Sequence, residues 1–167
     1  VKVEIQRPGG GFVQILRNGN EWRLQQPLVA RADKVRVNAL LDTVFGLRVT
    51  SFVRDPSPEG VRAPSPAASP VETAARADGF GLAPDQAVAR IRVWSIGDDV
   101  GQELLIGTPA NPAGSEVYAQ RRGEETIFTL DARALAALAV DVNALRDRFV
   151  FGMAPEDVCG LRLLRGD

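Results

Sequence analysis

Asp98, Asp99 and Glu103 are the carboxylates whose spacing comes nearest to a metal site, grouped around the Gly97 turn. Oxygen donors of this kind suit a divalent cation, but the spacing matches no EF-hand loop. Acidic residues at a hairpin turn commonly serve turn geometry and solubility, and that reading is favoured here. Gly9-Gly10-Gly11 has the composition of a phosphate cradle. It leads into a strand pattern, whereas a phosphate loop opens onto a helix N-terminus that supplies donors, so it reads as a turn. In Leu145-Arg146-Asp147-Arg148, the guanidinium groups of Arg146 and Arg148 suit a clamp on a partner's carboxylate or phosphate. The competing and preferred reading has Asp147 pairing with a neighbouring arginine or capping backbone N–H groups at a helix-to-strand junction.

The aromatic residues divide by face. Trp22 alternates with Leu24 and is expected in the core. Trp94 falls opposite Ile91 and Val93, on the face of Arg90 and Arg92, which marks it as a candidate partner contact. Tyr118 has no general base near it in sequence, and its candidate role is likewise in binding. The partner-binding candidates are therefore Trp94, Tyr118, Arg146 and Arg148, with no catalytic, cofactor-binding or metal-binding residue assigned.

Composition removes several chemistries. The chain has no histidine, which excludes the usual general base, the commonest metal ligand and a Ser-His-Asp arrangement. Its one cysteine, Cys159, can form neither an intramolecular disulfide nor a thiolate zinc site, and its apolar surroundings suggest a buried side chain in a strand. With 20 basic and 21 acidic residues the net charge is -1, so there is no basic footprint for nucleic acid. Eighteen of the basic residues are arginine, a mark of a GC-rich genome more than of a mechanism. Hydrophobic content of 45% and charged content of 25% are ordinary for a globular chain. No run approaches the ~18–20 apolar residues of a membrane span, so no direct membrane insertion is expected from this segment. The chain starts at Val1, inside an alternating pattern, and reads as an excised or processed piece of a longer protein.

The elements that must carry these residues follow from periodicity. Val1, Val3 and Ile5 alternate with polar residues; the glycine turn leads to Phe12–Arg17, and Asn18-Gly19 returns the chain into Glu21–Gln25, a three-stranded meander. Asp33 is placed to cap a helix whose apolar face is Val37, Leu40, Leu41, Val44 and Leu47. A strand over Arg48–Val53 follows. Residues 54–79 hold Pro56, Pro58, Pro64, Pro66 and Pro70 with little apolar periodicity, and read as a linker or long loop. Beyond it the pattern predicts strands at Val88–Ile96, Glu103–Ile106, Glu116–Gln120 and Glu125–Leu130. A helix opening at Asp131, a helical piece over Asn143–Arg148 and a final strand at Val158–Leu164 complete the prediction.

Two halves look alike. Each runs a glycine turn into a strand and then a helix, and each contains Val-Asn-Ala-Leu-x-Asp, at Val37–Asp42 and Val142–Asp147. The expected fold is α+β, two similar antiparallel meander units each with a helix on one face. They would occupy residues 1–53 and 80–167, either side of the 54–79 linker, with packing as one body open to them. The final Val158–Leu164 pattern resembles the opening strand, as though a further unit began there.

An ordered set of short motifs carries a family resemblance. These are Gly-x-x-Trp-x-Leu-x-x-Pro (Gly19, Trp22, Leu24, Pro27), Ala32-Asp33 opening a helix with Leu40-Leu41, and the Phe80–Pro84 turn. Leu104–Gly107, Val117-Tyr118 and Leu145–Arg148 then follow in order. Taken together they resemble domain-of-unknown-function family 4340 over nearly the whole chain. The chain departs from the pattern at Ala83, where an acidic residue would be expected, and in the length of its Pro-rich stretch. The resemblance implies a membrane-anchored, extracytoplasmic (periplasmic) protein beside a transporter of the ABC-2 or gliding-motility type. It implies membrane transporter subunits as partners, no cofactor and no catalytic residues. The resulting expectation is a non-catalytic accessory or interaction domain; the alternative is a saccharide- or peptidoglycan-binding module using Trp94, Tyr118 and nearby arginines.

Overall fold

The computed structural model describes residues 1–7, 10–54, 78–139, 141–152 and 155–164. Most of the proposed linker, residues 55–77, lies outside the described residues.

Among the described residues, alternating apolar residues build a single antiparallel sheet. The strands are β1 (Lys2–Arg7), β2 (Gly10–Asn18), β3 (Glu21–Gln26), β4 (Ala30–Arg31), β5 (Val49–Arg54), β6 (Ala89–Trp94), β7 (Gln102–Pro109), β8 (Glu116–Arg121) and β9 (Ile127–Asp131). They form a nine-stranded sheet in the order β4-β3-β2-β1-β6-β7-β8-β9-β5. The fold is α+β. The β1–β3 and β6–β9 meanders meet side by side through the β1–β6 pair, in which Ile5 lies across from Ile91 and Val3 from Val93. The chain then does something that local pattern cannot announce. After the first meander it crosses the sheet, and β5 joins the far edge beside β9, with Phe52 opposite Phe128.

Helix α1 (Lys34–Phe45) makes the crossing. The Asp33 carboxylate accepts the backbone N–H groups of Val35 and Arg36, satisfying donors that the first turn leaves without partners. Val37 and Leu40 of its apolar stripe are buried against the sheet, with Val3, Ile15, Leu24, Ile91, Val117 and Leu130 among the residues of that core. Each such side chain removed from water contributes about 1.5–3 kcal/mol. Trp22 is buried in the same core, as its alternation with Leu24 predicts. The short helices α2 (Ala132–Ala137) and α3 (Val142–Leu145) lie beside α1. On the opposite face a smaller cluster of Leu82, Ala87, Leu105 and Ile127, with Phe80 and Tyr118 against it, covers part of the sheet. Ala83 is buried, so the departure from an acidic residue there matches its surroundings.

Several expectations need correction. Val158–Leu164 forms no strand, and Cys159 is exposed rather than buried. An apolar sequence has strand character only where an edge pairs with it, and no described edge does so here. The second helical piece stops at Leu145, because Arg146 turns extended and bridges Ala32. The strand expected from Glu125 starts at Ile127, and the two-residue β4 is too short to leave an alternating pattern in the sequence.

Candidate functional site

On the sheet face away from α1, alternation puts Arg90, Arg92 and Trp94 of β6 side by side. Register sets Arg92 opposite Glu103 of β7. The Glu103 side chain is 4% exposed and sits among arginines: Arg92 Nη2 at 2.5 Å, Arg122 Nη1 at 2.9 Å and Arg90 Nε at 3.2 Å. Oε2 accepts from Arg92 and Arg122. Oε1 is buried, has no aligned donor among the described residues, and is held by the charge of Arg90. Burial, the strongest single influence, pushes the Glu103 carboxyl up; hydrogen bonds from Arg122 and Arg92, with their charges, together outweigh it and hold the carboxyl below its ordinary value of 4.5. Glu103 is thus an arginine anchor. The Asp98 carboxylate is likewise occupied, accepting the N–H groups of Val100 and Gly101. Among the described residues no group of three acidic, histidine or cysteine side chains is arranged to hold a metal.

Trp94 is half-buried in a cationic frame. Lys2 Nζ lies 4.3 Å from the ring centroid and the Arg92 guanidinium carbon 5.4 Å from it. Gly101, at φ +73°, approaches the indole so closely that a Cβ would fall 2.7 Å from its Nε1. Tyr118 is elsewhere. It packs edge-to-face on Phe80 with centroids 4.7 Å apart, near the other end of the strands. The strand rise and spacing put it about 20 Å from Trp94, so these aromatics do not share a stacking site.

Arg146 and Arg148 are exposed, and the residue between them is structural. The Asp147 carboxylate lies 3.7 Å from Arg31 Nε and accepts the N–H of Phe149. The Leu145 carbonyl accepts from Asp33 N–H at 2.8 Å, and Asp147 N–H donates to the Arg31 carbonyl at 3.0 Å. This segment staples the start of α1 to the chain beyond α3. The pairing expected of Asp147 is made with Arg31, not with its sequence neighbours.

The α1 side of the sheet carries features that sequence reasoning missed. The second half of α1 does not fill the space beneath it. A cavity of about 600 Å³ opens between Leu41, Val44 and Phe45 on the helix and Ile91, Phe128 and Leu130 on the sheet. Arg17, Arg48 and Arg121 stand on its lining. At the neighbouring sheet edge, β5 presents Val49, Phe52 and Val53 to solvent, 40%, 62% and 43% exposed. The apolar periodicity of α1 carried a signal for the cavity; how far the helix stands from the sheet did not register in sequence.

Among the described residues no helix is long and apolar enough to cross a membrane. No curated protein sequence and no solved structure is significantly similar to the chain. A family model described as a domain of unknown function (DUF4340) matches residues 22–167. The chain belongs to the DUF4340 family.

Proposed function

We propose that this chain is a non-catalytic interaction domain, an extracytoplasmic accessory of a membrane-associated ABC-type transport system, whose partner docks along β5. The observation that carries this reading is the sheet edge itself. Among the described residues β5 is paired only on its β9 side, and it exposes Phe52 and Val53 to solvent. An open edge supplies unpaired backbone N–H and C=O groups to an added strand, and the apolar side chains supply contact area. The likeness of the two meander-plus-helix halves supports a scaffold built from two similar units, which suits binding more than catalysis. The alternative, a saccharide- or peptidoglycan-binding module, is weakened by the separation of Trp94 from Tyr118.

Quantitative co-purification of the tagged protein from its native membranes tests the proposal, with Phe52→Glu as the comparison. The expected result is enrichment of transporter subunits with the unmodified protein and their loss with Phe52→Glu at unchanged melting temperature. Recovery of the protein without such subunits would overturn it.

A further inference from the structure

Independently of the β5 edge, we propose that the cavity beneath α1 binds a single-chain amphiphile with an anionic head, a long-chain carboxylate. The volume of about 600 Å³ falls within the range of small-molecule sites, which are mostly apolar with a few polar groups that orient the ligand. Leu41 and Val44 are only half-buried although they lie on the inward face of α1, so their apolar surface lacks a full set of neighbours. Trp22, buried at 5% exposure, contributes to the lining from within the core.

Charge selects the head group. Arg17 and Arg48 line the cavity, and neither has a carboxylate within ion-pair distance among the described residues. Among the described residues Arg48 donates only to the Phe45 and Leu47 carbonyls, and Arg17 only to the Gly19 carbonyl, its guanidinium carbon lying 5.7 Å from the Trp22 ring centroid. The acidic residues of the lining are already engaged, Asp98 by backbone N–H groups and Glu103 by arginines. An apolar slot with two unneutralised guanidinium groups complements an acyl chain ending in a carboxylate, and disfavours a cationic amphiphile of the same length.

Titration calorimetry below the micelle concentration, using octanoate, decanoate and dodecanoate, tests this. Progressive burial of the chain predicts a Kd tightening of about fourfold per methylene. Dodecyltrimethylammonium should bind at least tenfold more weakly than dodecanoate. Val44→Phe, which fills the cavity with an apolar side chain, should abolish binding, and Arg48→Gln should weaken dodecanoate while leaving the melting temperature unchanged. A Kd independent of chain length, equal affinity for the cationic amphiphile, or unaltered binding in a folded Val44→Phe variant would each overturn the proposal. So would the absence of saturable dodecanoate binding.

Discussion

Arg122 Nη1 donates to Glu103 Oε2 at 2.9 Å, so a side chain at the end of β8 is fastened to a buried carboxylate of β7. Arg92 reaches the same oxygen from β6 on the other side. One carboxylate thereby ties together neighbouring strands β6, β7 and β8 on the sheet face away from α1. Removing its charge leaves the arginines facing one another without a counter-ion.

Glu103→Gln should therefore lower stability by roughly 1–2 kcal/mol, less than a fully buried pair would lose because water screens the half-exposed Arg122. For a chain of this size that is about 3–6 °C in melting temperature. The pH dependence has a definite sign. The folded-state pKa of Glu103 is lowered, so its contribution is fully present above the ordinary value of 4.5 and is lost as pH falls through the folded value. Thermal melts should show the difference between wild type and Glu103→Gln shrinking as pH is lowered from neutral to below 4.5. A difference that grows on acidification would contradict this assignment.

Gly101 has two reasons to be glycine, and a paired substitution separates them. Its φ of +73° disfavours any Cβ, and that Cβ would also strike the Trp94 indole. Gly97, at φ +80°, has nothing within 4 Å. Gly97→Ala should cost about 1–2 kcal/mol from the left-handed backbone alone. Gly101→Ala should cost more and should also shift the tryptophan emission spectrum, which Gly97→Ala should leave unchanged.

Asp33→Ala should destabilise the chain by about 1 kcal/mol through loss of the α1 cap, with Asp33→Asn recovering most of it. Chemical denaturation reads both. An effect confined to the Arg36 ion pair (3.6 Å) would instead leave Asp33→Asn as weak as the alanine variant.

Cys159 should react stoichiometrically with a thiol reagent under native conditions, since it is exposed. Protection until denaturant is added would restore the buried strand inferred from its apolar neighbours.

The local elements were legible because their signals are local. The apolar stripe Val37–Leu47, the Asp33 cap and the Asn18-Gly19 turn, with Gly19 at φ +58°, each need only a few adjacent residues to be recognised. The alternation that puts Arg90, Arg92 and Trp94 on one face was equally readable. Partners were not. That Arg92 meets Glu103, that Asp147 pairs with Arg31, and that β5 leaves its own half to join β9 are all consequences of register and crossing. Those are fixed by long-range packing that no window of sequence contains. The same limit explains Val142–Asp147, which repeats the α1 motif yet stops being helical at Leu145, where its backbone is taken up by Ala32 and Asp33.

Photo-crosslinking from position 52 tests the interaction role most directly. A photoreactive phenylalanine analogue replaces Phe52 on β5, or Val35 on the solvent face of α1, in the protein within its native membranes. Strand addition along β5 predicts a discrete crosslink to a transporter subunit from position 52 and none from position 35, although Val35 is 77% exposed. Equal crosslinking from both positions, or none from position 52, would contradict it.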